Sequence, residues 1–477
     1  MRGLKMFFLD TSLFRISYML CLFFCTVMYA ELAAYVLIVP LFVWGLALSV
    51  YKIVKVRIYN KLYFSLWLVL FLFATVLTTL IRINSDYQTS FYNIYMLMHC
   101  MICFFVFYGI HTEQGVPFRW ELYLVARVFV YLSTVFTVVG LALMFFTKGQ
   151  FDAYMYYQSE VFKGFYINPN YQGYVSALSI IFCHMLTKPN FIANSGQKRV
   201  SRIWLLSCVL FNCIALLLCD SNGSLLLLAV YAALIIIMKL FSMVEDLTPK
   251  KMIVRIITLV AIGIVLVTVM MFVRAFCRIG VAAFFSDTGL SRQEIKQFTE
   301  NIFFVPSEDS GFTSRWFLWD AGFKIFKENF LLGIGKGNLY QEIVEVTGKK
   351  IYPEYSGFHL LGFTDLHNGY LTILVVSGVI GFILFAAFML RYLKMVVSVW
   401  FVQRRIMAYS VYPCLVAFIG AYFCYAVIEK TILFDLTYLV ISFWLMLGYT
   451  SCYALDFGYM LRGEYTVLNR QIPKKLI

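Results

Sequence analysis

Apolar runs of about 20 residues without charged side chains recur along the whole chain, and they restrict its fold more than any other feature. Each run is long enough to cross the hydrocarbon core of a bilayer as an α-helix. Hydrophobic residues make up 62% and charged residues 13% of the 477 positions, against roughly 45–50% and 25% in soluble domains. A water-soluble interior cannot hold that much apolar surface. The sequence therefore excludes soluble, disordered and coiled-coil proteins and predicts an all-α polytopic integral membrane protein.

The positions of the apolar runs predict twelve transmembrane helices. These lie at about 13–30, 32–51, 62–81, 91–110, 120–146, 171–187, 203–219, 224–241, 253–273, 366–390, 407–428 and 431–454. The chain then divides into transmembrane helices 1–9 (1–273), an extracytoplasmic cap loop (274–365), transmembrane helices 10–12 (366–454) and a cytoplasmic tail (455–477). We expect these parts to form one integrated domain.

The distribution of basic residues predicts the orientation in the membrane. With the N-terminus inside, the cytoplasmic segments hold 24 Lys and Arg residues and the short outer loops hold four. Short cytoplasmic loops carry such an excess under the positive-inside rule. We therefore predict a multi-pass protein of the cytoplasmic membrane with both termini in the cytoplasm. The net charge of +14 is explained by topology, and no nucleic acid is expected as a partner.

The long outer loop carries a predicted amphipathic helix. Aromatic residues recur in it at spacings of three and four, with charged residues between them: Trp316, Trp319, Phe323, Phe326 and Phe330. Such a helix is expected to lie on the outer membrane surface or over the mouth of the helix bundle. Because a connection of this length is usually functional, we expect any chemistry on the outer face.

Two side chains near this face are candidates for chemistry. Asp365 is a predicted N-cap, which places His367 in the first turn of the tenth span, where the helix dipole favours a neutral imidazole that can accept a proton. Arg315 opens the amphipathic helix, with Thr313 or Ser314 as its cap, and its guanidinium can bind a phosphate in bidentate fashion. The alternatives are an interfacial histidine bonded to loop backbone and a snorkelling surface arginine.

Two other motifs are not expected to carry chemistry. Gly333, Gly335 and Gly337 follow the amphipathic helix without a preceding strand, so they predict a C-cap and a tight turn and not a dinucleotide site. The segment from His99 to Cys103 lies inside the fourth span without a second pair of ligands, so no metal site is predicted.

A series of short motifs resembles the O-antigen ligase and polysaccharide polymerase family. The motifs follow the family's order between about 165 and 390: Asn168-Pro169-Asn170, Ser221-Asn222-Gly223, Ser314-Arg315 with Trp319, Leu332 to Asn338, and His367-Asn368 with Tyr370, Leu371, Gly378 and Gly381. The large outer loop that ends in a His-Asn helix start also fits this family.

The resemblance implies a metal-independent glycosyltransferase without a cofactor. The donor would be a glycan on a polyprenyl (undecaprenyl) diphosphate, with His367 as general base on the acceptor hydroxyl and Arg315 on the diphosphate. The family commonly has an arginine where this chain has Asn222, which cannot neutralise charge. Either another cation, such as Arg274, Arg278 or Lys336, replaces it, or the donor differs. The residues expected to bind substrate are Asn168, Asn170, Asn222, Arg274, Arg278, Lys336 and Asn368.

The resulting hypothesis is a polymerase of surface polysaccharide, such as O-antigen or capsule. The implied partners are the lipid-linked donor, a glycan or lipid acceptor, membrane lipid, and a flippase and chain-length regulator of the same pathway. One alternative is an O-antigen ligase that transfers the glycan to a lipid or other acceptor. Others are a secondary transporter or lipid-linked glycan flippase, although that class keeps its polar site near the bilayer midplane, and a non-catalytic membrane scaffold.

Overall fold

The computed structural model describes residues 8–83, 87–113, 118–146, 157–158, 161–188, 199–242, 311–348 and 366–456, and some positions between 253 and 280. Its helices are α1 (Thr11–Phe24), α2 (Glu31–Tyr51), α3 (Ser65–Ile81), α4 (Tyr87–Ile102), α5 (Phe118–Phe146), α6 (Pro169–Leu186), α7 (Arg202–Leu218), α8 (Asn222–Ser242), α9 (Gly311–Glu328), α10 (Leu339–Thr347), α11 (Gly369–Met407), α12 (Tyr412–Tyr425) and α13 (Tyr438–Asp456). Short π-helical segments at Lys52–Val56 and Cys103–Phe107, short 3₁₀ segments at Ile58–Asn60 and Tyr108–Thr112, and two antiparallel strands, β1 (Tyr157–Gln158) and β2 (Val161–Phe162), are also described. The predicted all-α class is confirmed.

Six of the described helical segments are long and apolar enough to cross a membrane. They are Glu31–Val56, Thr89–Thr112, Phe118–Phe146, Asn222–Ser242, Gly369–Val402 and Tyr438–Leu455. Four shorter apolar helices, α1, α3, α7 and α12, fall on further predicted spans. The count of twelve remains a prediction, because only some residues of the ninth predicted span, 253–273, are described. The extent of the cap loop and the division of the chain into four parts also remain predictions.

The tenth predicted span is longer in the structure than in the prediction. The prediction ends it at 390, whereas α11 continues to Met407 and has 39 residues. At 1.5 Å per residue such a helix measures about 58 Å, roughly twice the thickness of a hydrocarbon core. The basic residues after 390 therefore extend the same helix.

Four charged side chains form a buried network, here called the α1 ion cluster: Arg15, Lys52, Glu113 and Glu121. Arg15 donates from Nε and Nη2 to the two Glu121 oxygens at 2.7 Å each, and its Nη1 lies 2.9 Å from Glu113. Lys52 pairs with Glu113, and Tyr449 donates to Glu121 at 2.8 Å. The predicted orientation counts Arg15 and Lys52 among cytoplasmic charges, but here internal carboxylates neutralise both.

Residues 329–338, here called the glycine loop, form backbone hydrogen bonds with residues 375–380, in the first third of α11. Gly378 has a left-handed φ of +66°, and at this point the helix backbone pairs with the loop. Val379 and Ile380 donate to Phe330 and Leu331, while Val375 and Val376 accept from Ile334 and Gly335. A Cβ on Gly378 would lie 2.3 Å from the Leu331 carbonyl oxygen, so only glycine permits this approach.

The amphipathic helix α9 packs on the start of α11 through aliphatic residues and through only part of the predicted aromatic stripe. Leu318, Ala321 and Ile325 are buried among its described side chains, and the first and last of them join a small core with Leu366 and Leu371. The predicted stripe is split between two environments. Trp319 and Phe326 are partly buried, whereas Trp316, Phe323 and Phe330 are at least half exposed. Aliphatic residues fit this contact because Gly322 brings the helix close to Leu366 and Leu371.

Candidate functional site

Helix α9 brings Arg315 to the site. The helix begins at Gly311, so Arg315 lies in its second turn, and the predicted cap at Thr313 or Ser314 is wrong because both residues are already helical. The contact of α9 with the segment before α11 includes a hydrogen bond from Trp319 Nε1 to the Leu366 carbonyl at 2.9 Å. This packing fixes Arg315 beside the start of α11.

His367 comes directly before α11, and not in its first turn as predicted. Asn368 is the N-cap, and its side-chain oxygen accepts from the Leu371 N–H at 2.9 Å. The predicted cap, Asp365, lies outside the described residues. His367 has a left-handed φ of +45°, an uncommon conformation for a residue with a side chain. Such outliers concentrate at functional sites, where the surrounding structure holds them.

Glu429 joins the two predicted catalytic residues. Its Oε1 lies 2.8 Å from Arg315 Nη2, and its Oε2 lies 3.3 Å from His367 Nδ1. The three side chains are only partly exposed, at 21% for Arg315, 32% for His367 and 14% for Glu429. We call this group the outer cluster. It combines a cation that can bind an anion, an imidazole that can accept a proton, and a carboxylate in contact with both.

Sequence reasoning missed Glu429. It stands beside Lys430 in a short connection between two apolar segments that are predicted to span the membrane. Charged residues at such positions are costly and usually functional, and that rule could have identified it. The sequence could not identify its partners, Arg315 and His367, because they lie 114 and 62 positions away along the chain.

A second polar group lies at the start of α8, around Asn222. Arg274 donates from Nη1 to Asn222 Oδ1 at 2.5 Å and also pairs with Asp220. The structure thus brings together Asn222 and one of the cations considered as a replacement for the family arginine. Arg278, another predicted binding residue, lies outside the described residues.

Tyr425 links the start of α8 to the outer cluster. A Cβ on Gly223 would lie 2.8 Å from the Tyr425 ring, so the Ser-Asn-Gly motif packs directly on that ring. The Glu429 N–H donates to the Tyr425 carbonyl at 3.0 Å. Tyr425 therefore contacts both the Ser-Asn-Gly motif and the turn that carries Glu429.

The Asn-Pro-Asn motif starts α6 as predicted. Asn168 is the N-cap, its side chain accepts from the Tyr171 N–H at 3.0 Å, and Pro169 occupies the first turn. Asn170 is exposed. Further along the helix, Gly173 packs against Ser221, which connects this helix to the Ser-Asn-Gly motif.

Lys336 is in a different part of the structure from the outer cluster. It is 5% exposed in the glycine loop, and the flanking Gly335 and Gly337 pack against Asn93 and Thr89 of α4. The predicted turn at these glycines is confirmed, with φ values of +72° at Gly333 and +75° at Gly335. Within the described part of the chain, no three His, Cys, Asp or Glu side chains form a group that could hold a metal ion.

Comparison with known proteins agrees with the motif analysis. The family model described as O-Antigen ligase matches residues 207–386, a segment that includes the Ser-Asn-Gly motif, α9, the glycine loop and His367. A search of curated proteins finds no match. The apolar helices and the family together indicate an integral membrane protein. Members of this family are glycosyltransferase-like enzymes that act on lipid-linked glycans. The resemblance inferred from the motifs is therefore confirmed: residues 207–386 of this chain match the model of the O-antigen ligase family.

Proposed function

We propose that this protein transfers a glycan from a polyprenyl diphosphate to an acceptor hydroxyl on the outer face of the cytoplasmic membrane. The observation that carries the proposal is the convergence of Arg315 and His367 on the carboxylate of Glu429. These residues belong to three different segments, all of which the positive-inside analysis predicts to be extracytoplasmic. A lipid-linked donor fits such a site because its prenyl tail stays in the bilayer while its diphosphate reaches the cluster.

In the proposed reaction the acceptor oxygen attacks the anomeric carbon of the donor sugar. The new carbon–oxygen bond forms as the bond to the diphosphate breaks, and the electron pair leaves with the diphosphate. His367 takes the proton of the acceptor hydroxyl on Nε2, since Nδ1 faces Glu429. Arg315 stabilises the negative charge that develops on the leaving diphosphate. Each role needs a group that the outer cluster contains.

Other contacts in the structure support the predicted sides of the membrane. Glycine-loop residues contact Thr78 and Arg82 near the predicted outer end of α3. The α1 ion cluster instead joins positions predicted to be at the cytoplasmic end. These contacts support the placement of the two groups at opposite ends of the helices, and the basic residues of the short loops assign the α1 ion cluster to the cytoplasmic end.

The test is a transfer assay with purified protein in detergent or nanodiscs and a radiolabelled polyprenyl-diphosphate glycan. We expect longer lipid-linked glycan from a polymerase, and label on a separate acceptor lipid from a ligase. His367→Ala should reduce turnover by about 10²- to 10⁴-fold, the range for loss of a general base. Lys324→Ala is the matched control, because Lys324 lies on α9 and is 57% exposed.

Two results would overturn the proposal. One is wild-type turnover in His367→Ala. The other is uptake of labelled glycan by proteoliposomes that does not depend on His367, with no transfer product, which would favour the transporter or flippase alternative.

A further inference from the structure

We infer that Glu429 is a positioning residue that makes the basicity of His367 depend on the binding of the donor to Arg315. This inference rests on the proposed function and extends it. In the structure the two oxygens of one carboxylate are divided between the guanidinium and the imidazole, at 2.8 and 3.3 Å. The anion site and the base therefore share one negative charge.

The backbone holds Glu429 beside His367 independently of Arg315. Gly369, two residues after His367, donates its N–H to the carbonyls of Ala426 and Glu429, at 2.7 and 3.1 Å. A Cβ on Gly369 would lie 3.3 Å from each of these carbonyl oxygens, so the two segments are in close contact. If Arg315 released the carboxylate, Glu429 would stay next to the imidazole.

A bound diphosphate competes with Glu429 for Arg315. The guanidinium pairs with one carboxylate oxygen here, whereas a diphosphate offers several oxygens and more negative charge. When the donor binds, the charge of Glu429 is directed to His367, where it stabilises the imidazolium that forms as the acceptor loses its proton. Without the donor, Arg315 offsets part of that charge. His367 is thereby a stronger base in the donor complex than in the free enzyme.

Two other ionisable groups lie near Glu429 in the described part of the chain. Lys430, the next residue, pairs with Asp435 at 3.3 Å within the same connection. Tyr425 of α12 also faces Glu429. Arg315 from α9 is a charged partner of Glu429 that a diphosphate would engage.

The experiment is Glu429→Gln, which keeps the shape of the side chain and removes its charge. Inorganic diphosphate serves as the probe of the anion site, measured as a competitive inhibitor of transfer. We expect its inhibition constant to fall about three- to tenfold, because Arg315 no longer pairs with a carboxylate. Turnover should fall about 10- to 100-fold, because the imidazolium loses its counter-charge.

The pH profile gives an independent readout. An adjacent carboxylate favours the protonated imidazole, so its removal makes His367 lose its proton at lower pH. The acidic limb of the turnover–pH profile should therefore move to lower pH in Glu429→Gln and return toward the wild-type position in Glu429→Asp. Glu345→Gln, on the exposed face of α10, is the control and should leave all three quantities unchanged.

The outcomes separate the two proposals. Tighter diphosphate binding with slower turnover supports the role of Glu429, because simple damage to the site would weaken both. Slower turnover with weaker or unchanged diphosphate binding and an unmoved pH profile would overturn it, as would wild-type behaviour of Glu429→Gln. In all of these cases an inactive His367→Ala variant would leave the proposed function standing. If Glu429→Gln does not fold, Glu429→Ala, which also removes the carboxylate, must shift diphosphate binding and turnover in opposite directions.

Discussion

The two clusters of charged side chains differ in how deeply their members are buried. In the α1 ion cluster Arg15 and Glu121 are fully buried, and Arg15 makes bonds to two carboxylates and the Val106 carbonyl. In the outer cluster the three side chains are between 14% and 32% exposed. The α1 ion cluster leaves little room for a ligand. In the outer cluster, an anion that binds Arg315 can change the pairing of Glu429.

The comparison teaches which buried charges hold the fold together and which are available for chemistry. Breaking a fully buried pair leaves an uncompensated charge and costs about 3–5 kcal/mol. Charges that remain partly hydrated cost less to disturb. We therefore expect substitutions in the α1 ion cluster to affect stability and substitutions in the outer cluster to affect activity.

The largest effect is expected from Glu121→Ala. The substitution removes the carboxylate that binds Arg15, Ser12 and Tyr449, and should destabilise the protein by about 3–5 kcal/mol. The measurement is the melting temperature and the monodisperse fraction in size-exclusion chromatography in detergent. Glu429→Ala is the matched control and should melt close to the wild type. Equal destabilisation of the two variants would contradict the distinction between the clusters.

The next effect is a loss of stability in acid that arises in the α1 ion cluster. Burial alone would raise the pKa of Glu113, but Arg15 and Lys52 lower it from 4.5 to about 2. A lowered pKa stabilises the folded state above the unfolded pKa, and this stability disappears as the pH falls from about 4.5 to 2. The melting temperature of the wild type should drop through that range. Glu113→Gln should be less stable at neutral pH, and its melting temperature should fall less steeply with pH. A slope equal to that of the wild type would rule out titration of Glu113 as the cause.

A smaller effect, on activity alone, is expected from Arg315→Lys. Lysine keeps the charge but loses the planar fork that binds phosphate oxygens in pairs. Loss of a hydrogen bond to a charged group costs about 1.5–3 kcal/mol, so transfer should slow by about 10- to 100-fold. The melting temperature should stay near the wild-type value. Unimpaired transfer by the lysine variant would argue against diphosphate binding at this position.

The smallest effect is expected from the cap of α11. Asn368→Ala removes the side-chain acceptor for the Leu371 N–H and should cost about 1 kcal/mol of stability. Asp10→Ala removes the equivalent bond at α1 and should cost about as much. If Asn368 also positions His367, only its variant should slow transfer beyond this stability loss. Equal transfer rates in the two variants would limit Asn368 to capping.

The sequence predicted the elements that depend on local patterns. The helical class follows from the length of the apolar runs. The start of α6 follows from its capping residue, Asn168, and the turn at 333–337 follows from the conformation of glycine. Each of these signals acts over a few residues. The start of α11 was misplaced, because Asp365 and Asn368 are both good caps and the choice between them depends on tertiary packing. Arg315 and His367 were identified as residues of interest, but their roles remain predictions.

Features that depend on contacts between distant segments could not be predicted. The α1 ion cluster joins Arg15 to carboxylates about a hundred positions away, so a count of basic residues treats it as surface charge. Glu429 was missed for the same reason. The face that α9 uses for packing follows from the close approach at Gly322, which hydrophobic periodicity does not encode.

The bonding between the glycine loop and α11 has a consequence for biogenesis. A membrane helix normally satisfies its own backbone groups before it meets other segments, but the two peptide N–H groups and two carbonyls around Gly378 find partners in a stretch more than 40 residues earlier in the chain. The helix is therefore completed only when the glycine loop folds back onto it. Excision of residues 329–338 would leave these backbone groups without their partners, so the glycine loop is part of the scaffold of this helix.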